Sequence, residues 1–287
     1  MKKTSAIIVC FIVCAALAAA VFVLVRTGVS PLTKPTEQFS DEITSETTTT
    51  ESNTVRVTFP EGFSLAEIAQ RLEENGVCSA SEFMAAANDP SLYTSYSFLL
   101  DVTDTEHRAF AAEGYIFPNT YDFYRDEEPQ KALSRFLRNT EAQITKEMKE
   151  RAAELGYTID EILTIASIIQ KEAGIKAEMG KVSSVIYNRL NDSYNRLSCD
   201  VTIHYLNKYV IPYIDGDTER YNEYYNTYKC YGLPKGPICN PGLDAINAAL
   251  YPEDTPYFFF VTDKDNNYYY SVTYQEHLDN CKKAGIN

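Results

Sequence analysis

The stretch at residues 159–173 restricts the fold more than any other part of the sequence. Most of its positions are aliphatic or small, among them Ile162, Ile165 and Ile168, and its charged residues stand at the two ends. A helix formed from it is apolar nearly all round, and such a helix is stable only inside a folded domain. The sequence therefore predicts a buried central helix with other elements packed around it.

Amphipathic patterns on both sides of this stretch supply the neighbouring helices. Residues 129–156 predict one long helix, and residues 182–190 and 244–250 predict two shorter ones. The inward positions of the long helix are Leu133, Phe136, Leu137, Ile144 and Met148. Their regular spacing is typical of a helix face that packs on a core.

Strand signals lie near both ends of the folded part. Apolar and polar residues alternate at 55–59, and a capping-box pattern of Ser64 and Glu67 then starts a helix. A second helix is expected at 81–88. Residues 257–273 contain two aromatic-rich segments around a polar turn, which is a hairpin pattern. The predicted class is α+β, with a small β-α-α subdomain followed by a larger mixed domain.

The chain begins with an uncharged apolar run at residues 6–25. About 20 such residues cross a bilayer as a helix, and Lys2 and Lys3 place the N-terminus in the cytoplasm. A cleaved signal peptide is the alternative, because the alanines at 18–20 resemble a cleavage site. The run continues to Val25, beyond a usual signal-peptide core. This favours an uncleaved single-pass anchor in the cell membrane, with the rest of the chain extracytoplasmic.

Composition then divides the chain into four predicted parts. Residues 27–53 are rich in Thr, Ser and Glu and cannot bury apolar surface, so a disordered stalk is expected there. The parts are a transmembrane anchor at 1–26, the stalk at 27–53, a small subdomain at 54–104 and a larger domain at 105–287.

The charge and the metal-binding residue types limit the possible ligands. A formal net charge of -14 argues against nucleic acid or anionic lipid as a partner, but it permits a glycan. No metal or other cofactor is expected, because His107, His204 and His277 lack the spacing of a ligand set. For the cysteines beyond the anchor, a disulfide such as Cys230–Cys239 and free or buried thiols both remain open.

Glu172 is the main candidate for chemistry. It falls at the end of the predicted buried helix, just before Gly174, which is expected to be the C′ residue that follows the helix. The helix dipole and partial burial both disfavour the charged form of a carboxyl group at this end. A carboxyl that stays protonated near neutral pH can donate its proton to a glycosidic oxygen. The alternative is an ordinary polar residue at a helix end, paired with Lys171.

Polar and aromatic residues after Glu172 form a second candidate group. A stretch at 232–242 is dense in Gly and Pro and predicts a rigid irregular loop. Asn, Thr and Tyr on such loops can line a glycan site by offering a hydrogen bond or an aromatic face. A purely structural loop is the alternative. The candidate substrate-binding residues are Asp200, Thr202, Asn226, Thr227, Tyr228 and Asn240.

At these residues the chain resembles the endolytic murein transglycosylase family MltG, also called YceG-like. The resemblance is carried by segments that occur in the family's order between residues 113 and 277. The segments are 113–121, 166–173, 182–190, 197–205, 225–228, 232–242, 257–261 and 271–277. The N-terminal apolar run and the unit at 55–88, which is similar to a LysM-like subdomain, also match.

The resemblance implies that Glu172 is the catalytic glutamate, and two departures from the family pattern bear on the site. Gln170 stands where the family commonly has a second Glu, which leaves Glu172 without a rival carboxylate there. The family's Leu-Gln-Ser-Asp-Pro-Thr appears as Leu-Ser-Cys-Asp-Val-Thr at 197–202, so the resemblance does not support a glycan contact from Ser198. Glu113 lies in an apolar Gly-Tyr-Ile-Phe-Pro setting and is expected to be structural.

The function implied is that of an endolytic peptidoglycan lytic transglycosylase. Such an enzyme cleaves the bond between N-acetylmuramic acid and N-acetylglucosamine and leaves 1,6-anhydro ends, with Glu172 as general acid and base. The expected substrates are nascent glycan strands, with termination of glycan elongation and contact with cell-wall synthases as further expectations. Two alternatives stay open: a non-catalytic glycan-binding scaffold of the synthesis machinery, and a muramidase-type hydrolase.

Overall fold

The computed structural model describes residues 53–100, 102, 104–193 and 195–286 of the chain. The predicted anchor at 1–26 lies outside these residues, as does the predicted stalk except for its last residue. Within the described ranges, no helix has both the length and the apolar character needed to cross a membrane.

A two-stranded antiparallel sheet closes the small N-terminal unit. β1 (Thr54–Phe59) pairs with β2 (Asn119–Tyr124), so that Phe59 lies opposite Asn119. β1 confirms the strand predicted at 55–59, whereas β2 was not predicted. The unit therefore takes its second strand from beyond residue 104, the predicted end of the small subdomain.

Three helices lie between these strands: α1 (Leu65–Glu74), α2 (Ala80–Ala87) and α3 (Leu92–Ser95). The predicted capping box starts α1, because Glu67 N donates to Ser64 Oγ and Ser64 N donates to Glu67 Oε2. Each bond satisfies an N–H group that has no partner inside the helix. The first two helices confirm the pair predicted for this unit.

The prediction of one long helix at 129–156 is wrong. Two helices occupy this stretch, α4 (Pro129–Gln143) and α5 (Lys146–Leu155). The chain leaves helical geometry at Ile144, and the Thr145 hydroxyl then accepts a hydrogen bond from Met148 N as a new N-cap. Ile144 stays buried, so the apolar stripe that suggested one helix continues across the break.

The buried central helix is confirmed as α6 (Ile159–Glu172), which begins with a capping box of Thr158 and Glu161. The elements that follow are α7 (Met179–Asn191), α8 (Asp200–Tyr205), α9 (Arg220–Tyr225) and α10 (Leu243–Leu250). α7 and α10 pack directly on α6. The side chains from Ile162 to Ile169 in α6 are all buried, which explains why this stretch contains no charged residue.

An aromatic hairpin and a final helix complete the described chain. β3 (Phe259–Thr262) and β4 (Tyr268–Ser271) pair antiparallel, which confirms the predicted hairpin with shorter strands. α11 (Tyr274–Lys283) starts at a Thr273–Glu276 capping box and packs on both strands. The described part is thus a mixed α+β fold with one hydrophobic core that continues across the predicted boundary at 104/105.

Glu113 is fully buried within this core and connects the small unit to the rest. Its carboxylate accepts hydrogen bonds from Leu65 N (3.0 and 3.1 Å), Asn240 Nδ2 (3.1 Å) and the Tyr205 hydroxyl (3.2 Å). Burial raises the pKa of Glu113 to about 8, although the surrounding donors act in the opposite direction. These contacts support the structural role that the sequence suggested.

The described cysteines are all free thiols, so the suggested Cys230–Cys239 disulfide is wrong and the alternative of free thiols holds. Cys239 is fully buried and donates its thiol to Ser167 O, whereas Cys230 is partly exposed. Cys10 and Cys14 lie outside the described residues.

Candidate active site

Glu172 is the last residue of α6, and the backbone becomes extended at Ala173. Gly174 follows the C-cap Ala173, which confirms its predicted C′ position, and its backbone is not left-handed. A side chain ends the helix instead, because the Tyr268 hydroxyl accepts a hydrogen bond from Gly174 N (2.8 Å) and donates one to Glu172 O (3.4 Å). The hairpin therefore fixes the backbone that carries Glu172.

The Glu172 carboxyl is partly buried, and its surroundings favour the protonated form. Burial is the main cause that raises its pKa to about 7, and the nearby charge of Asp200 raises it further. Arg189 and the Cys199 thiol act in the opposite direction. The residue also keeps some exposure to solvent, so a carboxyl with this pKa can exchange its proton near neutral pH.

Arg189 approaches this carboxyl from α7. Its guanidinium donates to Phe258 O at 2.7 Å and to Leu197 O, and it lies 5.4 Å from the centre of the Phe259 ring. Within the part of the chain that the structure describes, Arg189 makes no ion pair with a carboxylate. Its charge is therefore held beside Glu172 without neutralising it.

Asp200 and Tyr228 form a hydrogen-bonded pair on the open side of the site. The Tyr228 hydroxyl donates to Asp200 Oδ1 at 2.8 Å, and the side chains of both residues are exposed. Asp200 is the first residue of α8, where the helix dipole favours a negative charge. Of the candidate substrate-binding residues, Asp200 lies close enough to Glu172 to raise its pKa, and Tyr228 is joined to the site through Asp200.

Thr202 and Thr227 lie just behind this pair and are fully buried. The Thr227 hydroxyl accepts a hydrogen bond from Cys199 N (2.8 Å), and the Thr202 hydroxyl donates to Cys199 O (2.8 Å). Ser198 N also donates to Thr227 O (3.1 Å). These bonds fasten the segment before Asp200 to the segment before Tyr228, so the two threonines set the position of the exposed pair.

Asn226 and Asn240 are also buried, and they form hydrogen bonds in two different parts of the fold. Asn226 Oδ1 accepts a hydrogen bond from Tyr228 N at 3.1 Å, which supports the turn that carries Tyr228. Asn240 accepts from Ile116 N (2.8 Å) and donates to Phe63 O (2.9 Å) as well as to Glu113. Asn240 therefore belongs to the junction around Glu113, and the structure does not bring it to Glu172.

Gln170, where the family commonly has a glutamate, has a structural contact here. Its Oε1 accepts a hydrogen bond from Gly242 N at 2.9 Å, at the N-cap of α10. Beside it, Lys171 Nζ donates to Gly62 O (3.2 Å) in the turn between β1 and α1, so Lys171 is not the partner of Glu172 that the alternative interpretation supposed. Both side chains fasten the last turn of α6 to its neighbours.

A cavity of about 250 Å³ opens beside the site. Ser198 contributes to its wall and has a positive φ of 51°, which is uncommon for a residue other than glycine. The lining residues are Arg189, Asp192, Asn195, Arg196, Ser198, Phe258 and Phe259. The residue at position 198 therefore lines the cavity beside the site, although it is a serine and not the glutamine of the family.

Two residues of the site, Cys199 and Tyr268, were not assigned by the sequence patterns, and Arg189 belonged to the polar pattern after Glu172 without a role of its own. Arg189 and Cys199 stand in segments that carry the family resemblance, but nothing in their spacing predicts proximity to Glu172. The one available signal for Tyr268 was the run of three tyrosines at 268–270 in a predicted strand. A tyrosine on a two-stranded hairpin commonly packs against a neighbouring element, and here the Tyr268 hydroxyl bonds to the end of α6.

The chain matches the model of a known family over most of its length. The family model described as the YceG-like family matches residues 28–283. The chain belongs to the YceG-like family. This confirms the resemblance inferred from the ordered segments between residues 113 and 277.

Relatives of this YceG-like chain include two curated proteins named endolytic murein transglycosylase. The one from Bacillus subtilis (strain 168) is 29% identical over 233 residues, which cover 77% of this chain and 63% of the relative. The one from Streptococcus pneumoniae serotype 2 (strain D39) is 28% identical over 240 residues, which cover 77% of this chain and 43% of the relative. The chain thus spans less than two thirds of the length of these relatives.

A solved structure shares the fold. The crystal structure of a YceG-like protein from Listeria monocytogenes superposes with a TM-score of 0.68 at 30% identity. The match covers 78% of this chain and 75% of that chain. The mixed α+β architecture described above is therefore the YceG-like fold.

Proposed function

We propose that this YceG-like chain is a lytic transglycosylase that cuts peptidoglycan glycan strands, with Glu172 as the general acid and base. The observation that carries the proposal is the partly buried Glu172 carboxyl, whose pKa is raised to about 7 next to an accessible polar and aromatic wall. A carboxyl that is protonated near neutral pH is the group that glycosidic cleavage requires. The names of the two curated relatives support murein as the substrate.

The proposed reaction uses one carboxyl group twice. Glu172 first donates its proton to the oxygen that bridges N-acetylmuramic acid and N-acetylglucosamine, and the bond from that oxygen to C1 of the muramic acid breaks. Positive charge develops on the muramic acid ring. The Glu172 carboxylate then takes the proton of the 6-hydroxyl of the same sugar while that oxygen bonds to C1. The products are a free N-acetylglucosamine hydroxyl and a 1,6-anhydro end, and no water is consumed.

The residues around Glu172 have distinct proposed roles. Arg189 and Asp200 set its pKa in opposite directions. Asp200 and Tyr228 contact the glycan, while Asn226, Thr202 and Thr227 hold these two in place. Asn240 acts from a distance through the junction at Glu113.

The proposed setting is the outer face of the cell membrane. The apolar run at residues 6–25 would hold the enzyme close to nascent strands and to the synthases that make them. Cleavage at that place would terminate glycan elongation. The small unit, similar to a LysM-like subdomain, would bind the same strand.

A muramidase-type hydrolase is the second candidate, and Asp200 is the observation that favours it. The structure places the charge of Asp200 close enough to raise the pKa of Glu172. A second carboxylate beside a general acid can activate water or act as a nucleophile, and either route ends in a hydrated sugar. The transglycosylase and the hydrolase would thus use the same acid, Glu172, and would differ in the product that they release.

The test is the end group that the protein leaves on un-crosslinked glycan strands. Mass spectrometry separates a 1,6-anhydro end from a hydrated end, because the two differ by one water. Anhydro ends support the transglycosylase, and hydrated ends would assign the chain to the hydrolases. If strands stay intact but bind, the alternative of a non-catalytic glycan-binding scaffold takes the place of both.

The pH dependence of cleavage gives a further prediction with a definite sign. Because Glu172 acts first as an acid, kcat/KM is expected to fall as the pH rises through about 7. Asp200 raises this pKa and Arg189 lowers it. Asp200→Asn is therefore expected to move the basic limb to lower pH, and Arg189→Gln to move it to higher pH. The measurement is kcat/KM across the neutral range for the wild type and both variants.

The two variants serve as controls for each other. Each variant removes one charge next to Glu172. A general loss of structure would lower the rate at every pH, and it would not shift the basic limbs of the two variants in opposite directions. A basic limb that stays at the same pH in both variants would contradict the assignment of that limb to Glu172.

A further inference from the structure

The side-chain amide of Asn195 lines the cavity beside the site and has no part in the mechanism above. Its Oδ1 atom is buried and has no hydrogen-bond partner in the part of the chain that the structure describes. A buried acceptor without a partner destabilises a folded chain, and such groups are rare unless they have a use. A ligand that brings an N–H group to this oxygen supplies that use.

The backbone around Asn195 fixes the position of its amide. Asn195 N donates to Asp192 O at 3.1 Å, and Asn195 O accepts from Gly232 N at 2.8 Å. The φ of Asn195 is 42°, which is a left-handed conformation that asparagine adopts more readily than most residues. A group that is already oriented before a ligand arrives loses little conformational entropy on binding.

The rest of the cavity wall combines apolar rings with cationic groups. Phe258 and Phe259 supply the rings, and Arg189 and Arg196 supply the guanidinium groups. The Phe259 ring is itself packed against Arg189 at 5.4 Å and against His277, whose ring centre is 5.3 Å away. This wall therefore suits a small apolar group such as a methyl, and not the stacking of a whole sugar ring.

Shared residues connect this cavity with Glu172. Arg189 lines the cavity and is also the cation that lowers the pKa of Glu172. Arg196 Nη1 donates to Tyr228 O at 3.0 Å, which joins the cavity to a proposed glycan contact. Asn195 also borders a second cavity of about 340 Å³, but none of the residues that act on Glu172 lines it. The cavity of about 250 Å³ is therefore the one next to a strand bound at Glu172.

We propose that this cavity binds the N-acetyl group of one hexosamine of the glycan strand, with Asn195 as the residue that recognises its amide. The inference rests on the proposed function and names the substituent that the site selects. An acetamido group offers an N–H to Oδ1, a carbonyl oxygen to Nδ2 and a methyl to the phenylalanine wall. It is also neutral, whereas the free amine of a de-N-acetylated sugar is largely protonated near neutral pH and is repelled by Arg189.

The experiment compares N-acetylated peptidoglycan glycan oligomers with the same oligomers after chemical de-N-acetylation. Both are titrated calorimetrically into the full chain in a Glu172→Gln background, which prevents cleavage. Asn195→Gly removes the amide and permits the left-handed backbone. It is expected to weaken binding of the N-acetylated oligomer by about 10-fold, and to change binding of the de-N-acetylated oligomer little.

Asn195→Asp tests the same contact through a gain of affinity. Aspartate has nearly the same shape and also tolerates the left-handed conformation, but it carries a negative charge and no N–H group. It is expected to bind the de-N-acetylated oligomer about 10-fold more tightly than the parent, through a charge-assisted hydrogen bond, and the N-acetylated oligomer more weakly. A misfolded variant does not gain affinity for one oligomer, so this result separates recognition from loss of structure.

Asn266→Gly is the matched control. Asn266 is an exposed asparagine in the turn of the hairpin, and its φ is also positive, at 61°. The control is expected to bind both oligomers like the parent. Equal weakening of both oligomers by Asn195→Gly would overturn the N-acetyl site, and so would an unchanged preference in both variants at position 195.

Strand cleavage by the wild type judges the proposed function separately. Cleavage together with an unchanged preference in the Asn195 variants would leave the function standing and remove the N-acetyl site. A preference that depends on Asn195, in a wild type that cuts nothing, would leave the N-acetyl site and remove the enzyme.

Discussion

Glu172→Gln is expected to slow glycan cleavage by about 10²–10⁴-fold, which is the range that a positioned acid or base contributes. Glutamine keeps the shape of the side chain but has no acidic proton to give to the bridging oxygen. The measurement is the initial rate of fragment release from un-crosslinked strands, at a pH below the wild-type pKa of about 7. Binding of the strands is expected to change much less than the rate.

The stability of the same variant separates a catalytic loss from a folding defect. Burial raises the pKa of Glu172 from 4.5 to about 7, so the folded wild type loses stability as the pH rises through that window. Glutamine carries no charge and avoids this loss. Glu172→Gln is thus expected to be at least as stable as the wild type above pH 7, by thermal unfolding.

Glu74→Gln is the matched control for this experiment. Glu74 is also the last residue of a helix, but its side chain is exposed and lies in the small unit. The variant makes the same carboxyl-to-amide change at an equivalent backbone position and is expected to leave the rate unchanged. Anhydro-ended or hydrated fragments released at the wild-type rate by Glu172→Gln would refute the assignment of the acid.

Local signals in the sequence were sufficient for the elements that carry Glu172. α6 was predictable because its apolar side chains and the capping residues Thr158 and Glu161 are all within one short segment. The break before Thr145 was missed because the apolar stripe continues across it, and a single threonine decided between one helix and two. β2 was missed because its pairing with β1 joins residues from 60 positions (Phe59 and Asn119) to 70 positions (Thr54 and Tyr124) apart, and its sequence is mostly polar.

The surroundings of Glu172 could be predicted only in part. The dipole argument gave the correct direction for the shift of its pKa, but burial is the larger cause of that shift. The burial in turn depends on α7, α8 and the hairpin, which fold over the end of α6. Asp200 and Tyr228 are 28 residues apart and meet through buried threonines that no periodicity reveals. All of the Asn and Thr candidates are buried and support the fold, whereas the exposed pair is an Asp and a Tyr, and the sequence patterns did not show this difference in burial.

Glu113→Ala is expected to lower the free energy of unfolding by about 3 kcal/mol, because it leaves buried donors without an acceptor. The donors are Leu65 N at the start of α1, Asn240 Nδ2 and the Tyr205 hydroxyl at the end of α8. For a chain of this size the loss corresponds to a Tm roughly 6–12 °C lower. Thermal unfolding measures it, and Glu106→Ala, which removes an exposed glutamate, is the control and is expected to change the Tm little.

Glu113→Gln tests whether stability depends on the hydrogen-bond acceptor at position 113 or on its charge. Burial raises the pKa of Glu113 from 4.5 to about 8, so the wild type is expected to lose stability as the pH rises between these values. Glutamine keeps an oxygen to accept from Leu65 N and cannot ionise. It is therefore expected to retain most of the wild-type Tm at the low end of this window and to lose less of it toward the high end. A Tm of Glu113→Ala equal to that of the wild type would show that Glu113 does not hold the two parts of the fold together.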